Sequence, residues 1–294
     1  IRNCLVGSEM CIRDSHLRGG VNWMRENLLE ISPKGHATDL FTQWSIDYIE
    51  KNKSSKNPFF LFLNYNAPHS PIQPPKKWLS SVIKRERNAS EGRQKLIAFI
   101  EHLDDSVDKV INSLENNNLL DNTIIIFTSD NGGALHYSAS NGPFNGGKGN
   151  MLEGGIRIPC IVKWSNVIKP GVVNDPIMLM DFYPTLVSIS REFNDYNLPS
   201  KNILPLLKDE ELSYDSRFMV WIRREGHVFG GRDFYAISNG RFKLLQNSPF
   251  EPYKLYDLEK DPFEENPIEN KEVKSLLLKK LTKHIQVSGN IPWQ

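Results

Sequence analysis

Four side chains of this sequence are of types that bind metal ions or anions or transfer protons, and each lies near an apolar run: His69, Asp130, Asn131 and Lys148. The histidine follows an Ala-Pro pair, the Asp-Asn pair precedes two glycines, and the lysine stands between glycines. Ligands bind at the carboxyl ends of the strands in open α/β sheets. We therefore expect these polar segments to converge at one edge of a sheet.

The types of these side chains fit one another chemically. Aspartate and asparagine oxygens are hard ligands suited to Ca²⁺ or Mg²⁺. A lysine flanked by glycines can approach an anionic group closely, because glycine adds no side-chain bulk. A histidine can donate a proton to a leaving oxygen near neutral pH. A metal ion, a lysine and a histidine around one pocket indicate hydrolysis of a phosphate or sulfate ester.

Each segment also has an ordinary structural interpretation when it is taken alone. Asp-Asn-Gly-Gly is a common turn sequence, and a single histidine after Ala67-Pro68 can be a loop residue without a function. The lysine segment is not a phosphate-binding P-loop, since it lacks the G-x-x-x-x-G-K-[ST] spacing. The hydrolytic interpretation therefore depends on the order of the segments along the chain.

Helices and short apolar runs alternate over the first two thirds of the chain. This alternation favours an α/β fold with a mostly parallel, mixed sheet flanked by helices, and continuous apolar runs are typical of strands buried on both faces. The basic stretch 76–93 is expected to be a surface excursion, and residues 16–205 are assigned to one domain. The expected helices are 38–51, 94–116 and 181–190, and the expected strands are 59–63, 123–128 and 156–164.

The character of the sequence changes after about Pro205, and a separate α+β subdomain is expected over residues 206–294. Asn239-Gly240 joins two strand-like runs, and Asn-Gly between such runs is a strong signal for a hairpin. Further strands are expected at 218–222 and 253–256, followed by a helix over 271–285. The subdomain is thus expected to be a small antiparallel sheet with a helix on it.

Composition excludes some classes of protein. The 294 residues carry a net charge of +1, which provides no global field to attract nucleic acid or an anionic membrane. No apolar run approaches the roughly 20 residues that a membrane-spanning helix needs. Three cysteines are too few for a disulfide framework, and Cys160 is expected to be a buried small hydrophobe.

Residues 1–15 have no clear period and resemble translated sequencing-adapter sequence, so they are expected to be non-native.

Taken in order, the motifs resemble those of the sulfatase family, within the alkaline-phosphatase-like superfamily. Segment 58–71 resembles the family segment that contains a catalytic histidine, and 128–133 resembles its calcium-binding turn. Segment 141–159 contains Gly-Gly-Lys-Gly and Glu-Gly-Gly-Ile-Arg-Ile-Pro and is similar to the active-site lysine region. The resemblance extends from about His36 to Pro267.

The resemblance implies a role for each matching residue in the hydrolysis of a sulfate ester. Asp130 and Asn131 would be two ligands of one Ca²⁺ ion. His69 and Lys148 would bind the sulfate and help to protonate the departing alcohol oxygen, with positive charge stabilising the transition state. Sulfated polysaccharide, glycosaminoglycan and aryl sulfate all remain open as substrates, and the family implies a periplasmic or extracellular location. Two residues between the motifs could line the substrate pocket: His136 and Asn141.

The sequence also departs from the family pattern. The family's formylglycine nucleophile is made from Cys or Ser followed by x-Pro-x-Arg, and this motif is absent, as is a first pair of calcium-binding aspartates. We therefore expect an N-terminally truncated chain that is inactive alone and exposes apolar surface. Glu153 and Arg157 are expected to form structural ion pairs, whereas His102 and His227 have no assignable role.

Two alternatives stay open at this point. One is a phosphonate or phosphodiester hydrolase of the same superfamily, which would normally hold two transition metals with additional Asp and His ligands. The lysine segment favours sulfate and a single calcium over this alternative. The other is a non-catalytic binding fragment, although the intact histidine, Asp-Asn pair and lysine argue against the decay of a former active site. The oligomeric state is not indicated by the sequence.

Overall fold

A computed structural model of the chain describes residues 17–18, 21–22, 24–190, 198–210, 217–224 and 232–289. The chain divides into two compact units, which are described separately. The first contains the described residues up to Thr123 together with His136–Ala139, and the second contains Ile124–Leu135 and the described residues from Ser140 onward. Segment 1–15 and His227 lie outside the described residues. The domain boundary near residue 205 stays a prediction, since both of its sides belong to the second unit.

Three helices form the framework of the first unit. Helix α3 packs against both of the others and buries Leu96 and Phe99, which are three residues apart as an apolar helix face requires. Two short antiparallel strand pairs precede the helices. The elements are β1 (Leu17–Arg18), β2 (Val21–Asn22), β3 (Arg25–Glu26), β4 (Leu29–Glu30), α1 (Ala37–Asn52), α2 (Lys76–Arg85) and α3 (Glu91–Asn116).

The helices begin at positions that differ from the sequence prediction. Helix α1 is capped by His36 rather than by Thr38 or Asp39, because the His36 ring accepts a hydrogen bond from the Thr38 N–H. Helix α3 begins at Glu91, three residues early, because the Ser90 hydroxyl accepts from a backbone N–H of the first turn. The basic stretch expected to be a surface excursion forms α2 in its first half.

The apolar run 59–63 is not a strand, which corrects the sequence prediction. None of the described residues pairs with it, and a strand needs partners for its backbone N–H and C=O groups. Phe60 and Phe62 are 59% and 65% exposed, and their rings stack on each other.

The second unit begins with a two-stranded ribbon. Strands β5 (Ile125–Thr128) and β6 (Cys160–Lys163) pair antiparallel, with Thr128 opposite Cys160. This corrects the expected parallel arrangement for this pair, since alternation of helices and strands does not fix the direction of every strand. Cys160 is exposed rather than buried. The short helices of this part are α4 (Glu153–Ile156), α5 (Phe182–Ser190) and α6 (Leu204–Leu207).

The C-terminal sheet matches the sequence prediction closely. Its four strands lie in the order β7-β8-β9-β10 and are antiparallel throughout. Helix α7 packs on the sheet, where Leu277 and Leu281 join Ile237, Leu244 and Leu255 in one buried cluster. No helix among the described residues combines the length and apolar character needed to cross a membrane. The elements are β7 (Met219–Arg224), β8 (Asp233–Ser238), β9 (Phe242–Gln246), β10 (Lys254–Asp257) and α7 (Lys271–Ser288).

Candidate active site

His69 lies on an exposed loop of the first unit, after Ala67-Pro68. Its backbone N–H donates to the Asn66 carbonyl at 2.8 Å, and its ring Nδ1 lies 2.7 Å from the Ser70 carbonyl oxygen. A carbonyl oxygen can only accept a hydrogen bond, so Nδ1 carries the proton. Nε2 is therefore the ring nitrogen that could exchange a proton with a substrate.

A small pocket lies beside His69, and polar groups line much of it. Its walls include His36, Asn66 and Gln73. The Asn66 Oδ1 atom is buried and has no hydrogen-bond partner within the part of the chain that the structure describes. Leaving a buried acceptor unsatisfied costs free energy. A hydroxyl or amide group of a bound molecule could satisfy this acceptor.

Three side chains of the first unit could hold a metal ion: His36, Asp39 and His102, whose ligand atoms lie within 4.8 Å of one another. The Nε2 atom of His102 is 2.8 Å from the Asp39 carboxylate. Both ring nitrogens of His36, however, contact the backbone: Nδ1 accepts from the Thr38 N–H, and Nε2 lies 3.2 Å from the Gln73 carbonyl. A metal ion would have to displace the cap of α1. We therefore describe these residues as a structural link between α1, α3 and the loop that carries His69.

Asp130 and Asn131 lie directly after β5, where the sequence predicted them. The Ser129 hydroxyl donates to the Asn131 carbonyl at 3.2 Å, and the Asn131 side-chain amide donates to the Asp130 carboxylate. The Asp130 side chain is exposed. One turn thus presents a carboxylate and an amide oxygen together, which is a donor set that fits calcium.

This turn is joined to the lysine loop, which we define as residues 145–153. The Lys148 N–H donates to the Gly133 carbonyl at 3.0 Å, and the Gly132 N–H donates at 2.9 Å to the carbonyl of Gly155, two residues after the loop. A Cβ atom at Gly132 would lie 1.9 Å from a backbone carbonyl oxygen, so a larger residue would push the two segments apart. The structure therefore brings together two of the three segments that the sequence singled out.

The side chain of Asn141 forms hydrogen bonds with both the segment that follows the Asp-Asn turn and the lysine loop. Its Oδ1 accepts from the Gly133 N–H at 2.7 Å, and its Nδ2 donates to the carbonyls of Gly133 and Gly146 at 3.2 and 2.8 Å. The amide thus has a structural role, and its contact with a substrate stays a prediction. His136 lies on an exposed turn of the first unit, with its ring 4.3 Å from that of Tyr137. Its predicted place in a substrate pocket also stays a prediction.

A buried ionic cluster adjoins the lysine loop, and sequence reasoning found only part of it. The Lys243 Nζ atom lies 2.8 Å from a carboxylate oxygen of Glu153 and 2.8 Å from one of Glu264. The prediction of ion pairs for Glu153 and Arg157 is confirmed, since these two also approach to 3.5 Å. The sequence feature that could have indicated Lys243 is a charged residue within the apolar strand Phe-Lys-Leu-Leu. A lysine buried in such a strand needs a carboxylate partner.

Comparison with known proteins identifies the family. A family model described as Sulfatase matches residues 12–190, which is more than half of the chain. The chain belongs to the sulfatase family. A second model, described as N-sulphoglucosamine sulphohydrolase, C-terminal, matches residues 144–289, which include the lysine loop and the C-terminal sheet.

Curated relatives of this sulfatase-family chain come from bacteria and mammals. A sulfatase of Formosa agariphila is 31% identical over 80% of this chain and 46% of its own length. An uncharacterized sulfatase, YdeN of Escherichia coli, is 31% identical over 69% of this chain and 37% of its length. The mouse N-acetylgalactosamine-6-sulfatase is 28% identical, and the match covers 71% of this chain and 38% of the relative. The chain thus spans less than half the length of these relatives.

Solved structures show the alkaline-phosphatase-like α/β fold that the sequence predicted. The crystal structure of Ps i-CgsB in complex with k-i-k-neocarrahexaose has a TM-score of 0.79 at 26% identity, covering 91% of this chain and 58% of that one. A sulfatase from Pseudoalteromonas sp. has a TM-score of 0.67 at 21% identity, covering 87% and 53%. A phosphonate monoester hydrolase of Agrobacterium radiobacter has a TM-score of 0.59 at 17% identity, covering 88% and 62%, and this likeness shows the fold alone.

Proposed function

We propose that this chain provides part of the active site of a sulfuric ester hydrolase that acts on a sulfated carbohydrate. Family membership supports the reaction class. The observation that carries the proposal is the hydrogen bond from the Lys148 N–H to the Gly133 carbonyl, which fixes the lysine loop against the turn of Asp130 and Asn131. A lysine proposed to bind an anion and oxygens proposed to bind a metal thereby belong to one hydrogen-bonded arrangement.

His69 and Lys148 are assigned to the sulfate group and to the leaving oxygen. The overall reaction consumes water and a sulfate monoester and releases an alcohol and sulfate. The Lys148 ammonium would bind the sulfate oxygens, and positive charge there stabilises the charge that develops in the transition state. His69 would donate a proton to the alcohol oxygen as its bond to sulfur breaks. Because its Nδ1 atom is hydrogen-bonded to the Ser70 carbonyl, its Nε2 atom would transfer this proton.

Asp130 and Asn131 are the residues that would hold calcium. Their oxygens have the hard character that Ca²⁺ prefers, and the two side chains belong to one turn. Two donors are fewer than the roughly six to eight oxygens that Ca²⁺ takes, so further ligands are required. The bound ion would neutralise part of the negative charge of the sulfate group.

A sulfated sugar is the substrate class that the relatives support. One relative is named N-acetylgalactosamine-6-sulfatase, and a solved structure contains a neocarrahexaose. We extend this class to the present chain, together with the periplasmic or extracellular location that the family implies. The likeness to a phosphonate monoester hydrolase lies at the level of the fold and does not favour the alternative reaction.

Isothermal titration of the chain in calcium buffer tests this proposal. N-acetylgalactosamine 6-sulfate should bind more tightly than N-acetylgalactosamine and than its 6-phosphate. Lys148→Ala and His69→Ala should each weaken the binding about tenfold or more, because each removes a hydrogen bond to a charged group. Lys169→Ala removes another exposed lysine of the second unit and should change nothing. Equal affinity for the unsulfated sugar would overturn the proposal, and a preference for the phosphate would favour the phosphonate or phosphodiester alternative.

A further inference from the structure

Lys243 of β9 is fully buried, and its ammonium group lies between two carboxylates. The Nζ atom is 2.8 Å from Glu153 Oε1 and 2.8 Å from Glu264 Oε1. The three residues are 0%, 9% and 3% exposed, respectively. Removing three charged groups from water is costly, so such a cluster is weak evidence for a role in stability alone. Its position next to the lysine loop indicates a role in the candidate active site.

Glu264 binds both ends of the lysine loop. Its carboxylate Oε2 accepts a hydrogen bond from the Glu153 N–H at 2.5 Å. Its backbone carbonyl accepts from Asn145 Nδ2 at 3.2 Å. Because Lys148 lies between Asn145 and Glu153 in sequence, one residue of the C-terminal subdomain fixes both ends of the segment that carries it.

Further contacts from the C-terminal sheet hold the middle of the lysine loop. Arg223 of β7 donates to the Gly149 carbonyl, and the Asn247 side chain, just after β9, accepts from the Met151 N–H at 2.6 Å. The Met151 side chain is buried among sheet residues that include Leu245. The sheet region therefore holds the loop at Gly149 and Met151, after Lys148, whereas Glu264 holds it on both sides of Lys148.

We propose that the cluster of Lys243, Glu153 and Glu264 positions Lys148 for binding the sulfate group. Lys243 and Glu264 are positioning residues, since they act through the lysine loop and do not touch the substrate. The inference rests on the proposed function, which gives Lys148 the sulfate. The Lys148 side chain is exposed, and its backbone N–H donates to the Gly133 carbonyl, so the contacts of the rest of the loop with Glu264 and the C-terminal sheet supply further alignment.

Hydrogen exchange and titration on the full chain test this inference. Glu264→Ala leaves Lys243 paired with Glu153 but removes the acceptor for the Glu153 N–H. Amides of the lysine loop should then exchange about tenfold faster, and the Kd for N-acetylgalactosamine 6-sulfate should rise about tenfold. Strands β8 and β9 should exchange as in the wild type. Glu264→Gln keeps the acceptor oxygen and should retain wild-type values in both measurements.

Asp257→Ala is the matched control. Asp257 is a buried carboxylate of β10 that pairs with Arg241 at 3.0 Å, and within the described part of the chain its side-chain hydrogen bonds and ion pairs do not reach the lysine loop. Exchange in the loop should be unaffected by this change. The inference is overturned if Glu264→Ala leaves loop exchange unchanged, speeds exchange across the whole sheet, or has the same effect as Asp257→Ala.

Lys148→Ala separates this inference from the proposed function. This variant should lose affinity for the sulfated sugar while its lysine loop exchanges as in the wild type. If Lys148→Ala binds the sugar normally, the sulfate-binding role of Lys148 is wrong. The exchange comparison of Glu264→Ala with Asp257→Ala would still decide whether the cluster positions the loop.

Discussion

The lysine loop and the loop of His69 carry the two proposed catalytic side chains, but the structure holds them in different ways. His69 is fixed by hydrogen bonds to Asn66 and Ser70, its neighbours in sequence. The lysine loop is fixed by residues that lie up to 119 positions away, including the Asn145 contact with Glu264. The contacts of His69 itself are thus local in sequence, although its loop also meets His36 at Gln73, whereas the lysine loop depends on the packing of a distant sheet. Substitutions should affect the two regions unequally.

Lys243→Met should have the largest effect. It leaves two buried carboxylates without their cation, and we expect a loss of about 3–5 kcal/mol in the free energy of unfolding. Urea denaturation followed by circular dichroism measures this loss. Lys254→Met on β10 is the matched control, because its exposed pair with Glu251 at 3.9 Å contributes at most about 1 kcal/mol. A similar small loss in both variants would contradict the importance of the buried cluster.

Gly132→Ala should have the next largest effect. The added Cβ would meet the carbonyl oxygen of Gly154, the residue after the lysine loop, at 1.9 Å and would push this end of the loop away from the turn. A destabilisation of about 1–3 kcal/mol is expected from such overpacking, together with weaker binding of the sulfated sugar. Gly171→Ala, whose Cβ would meet no atom within 4 Å, should be nearly neutral. Unchanged stability and binding in Gly132→Ala would show that the close approach is not needed.

The buried cluster should also make stability depend on pH. Burial raises the pKa of the Glu264 carboxyl, against the opposing effect of Lys243, while the neighbouring Glu153 raises it further. The folded chain therefore binds the proton of the Glu264 carboxyl more tightly than the unfolded chain does. The stability that this proton contributes is lost as the pH rises through the raised pKa. Glu264→Gln does not titrate, so it should gain stability relative to the wild type as the pH rises above the ordinary glutamate value of 4.5, as measured by denaturation at each pH. A constant difference above that pH would contradict the shift.

The smallest effect on stability is expected in the other region, for His69→Ala. The side chain is exposed and its contacts are local, so the free energy of unfolding should change by less than about 0.5 kcal/mol. Thermal denaturation measures this change, and the binding of the sulfated sugar should fall in the same variant. A loss comparable with that of Lys243→Met would mean that His69 is a structural residue.

The helices and strands that are specified by a pattern within their own sequence could be predicted. Helix α3 and the C-terminal sheet lie close to their expected positions, because the apolar period of the helix and the Asn-Gly turn are local signals. The run 59–63 could not be assigned correctly in this way. Whether an apolar segment is a strand depends on a partner that its own sequence does not specify.

In the candidate site, too, residues in local motifs could be predicted and partnerships that depend on the tertiary fold could not. Asp130, Asn131 and Lys148 were predicted from turn and glycine motifs, and the structure joins their two segments. The partnership of Lys243 with Glu264 could not be predicted, because these residues lie in different elements and their pairing depends on the fold of the sheet. His36 shows the reverse case, in which a residue without an expected role caps α1 and lines the pocket beside His69.

The most direct test of the central claim is whether one sulfated sugar contacts both regions. Nuclear magnetic resonance spectra of the chain, labelled with ¹⁵N, should be recorded during titration with N-acetylgalactosamine 6-sulfate in calcium buffer. We predict that the signals of the His69 ring and of the Gly146–Gly149 backbone shift together and yield the same Kd. Shifts confined to one of the two regions, or two different Kd values, would contradict the assignment of His69 and Lys148 to one sulfate-binding site.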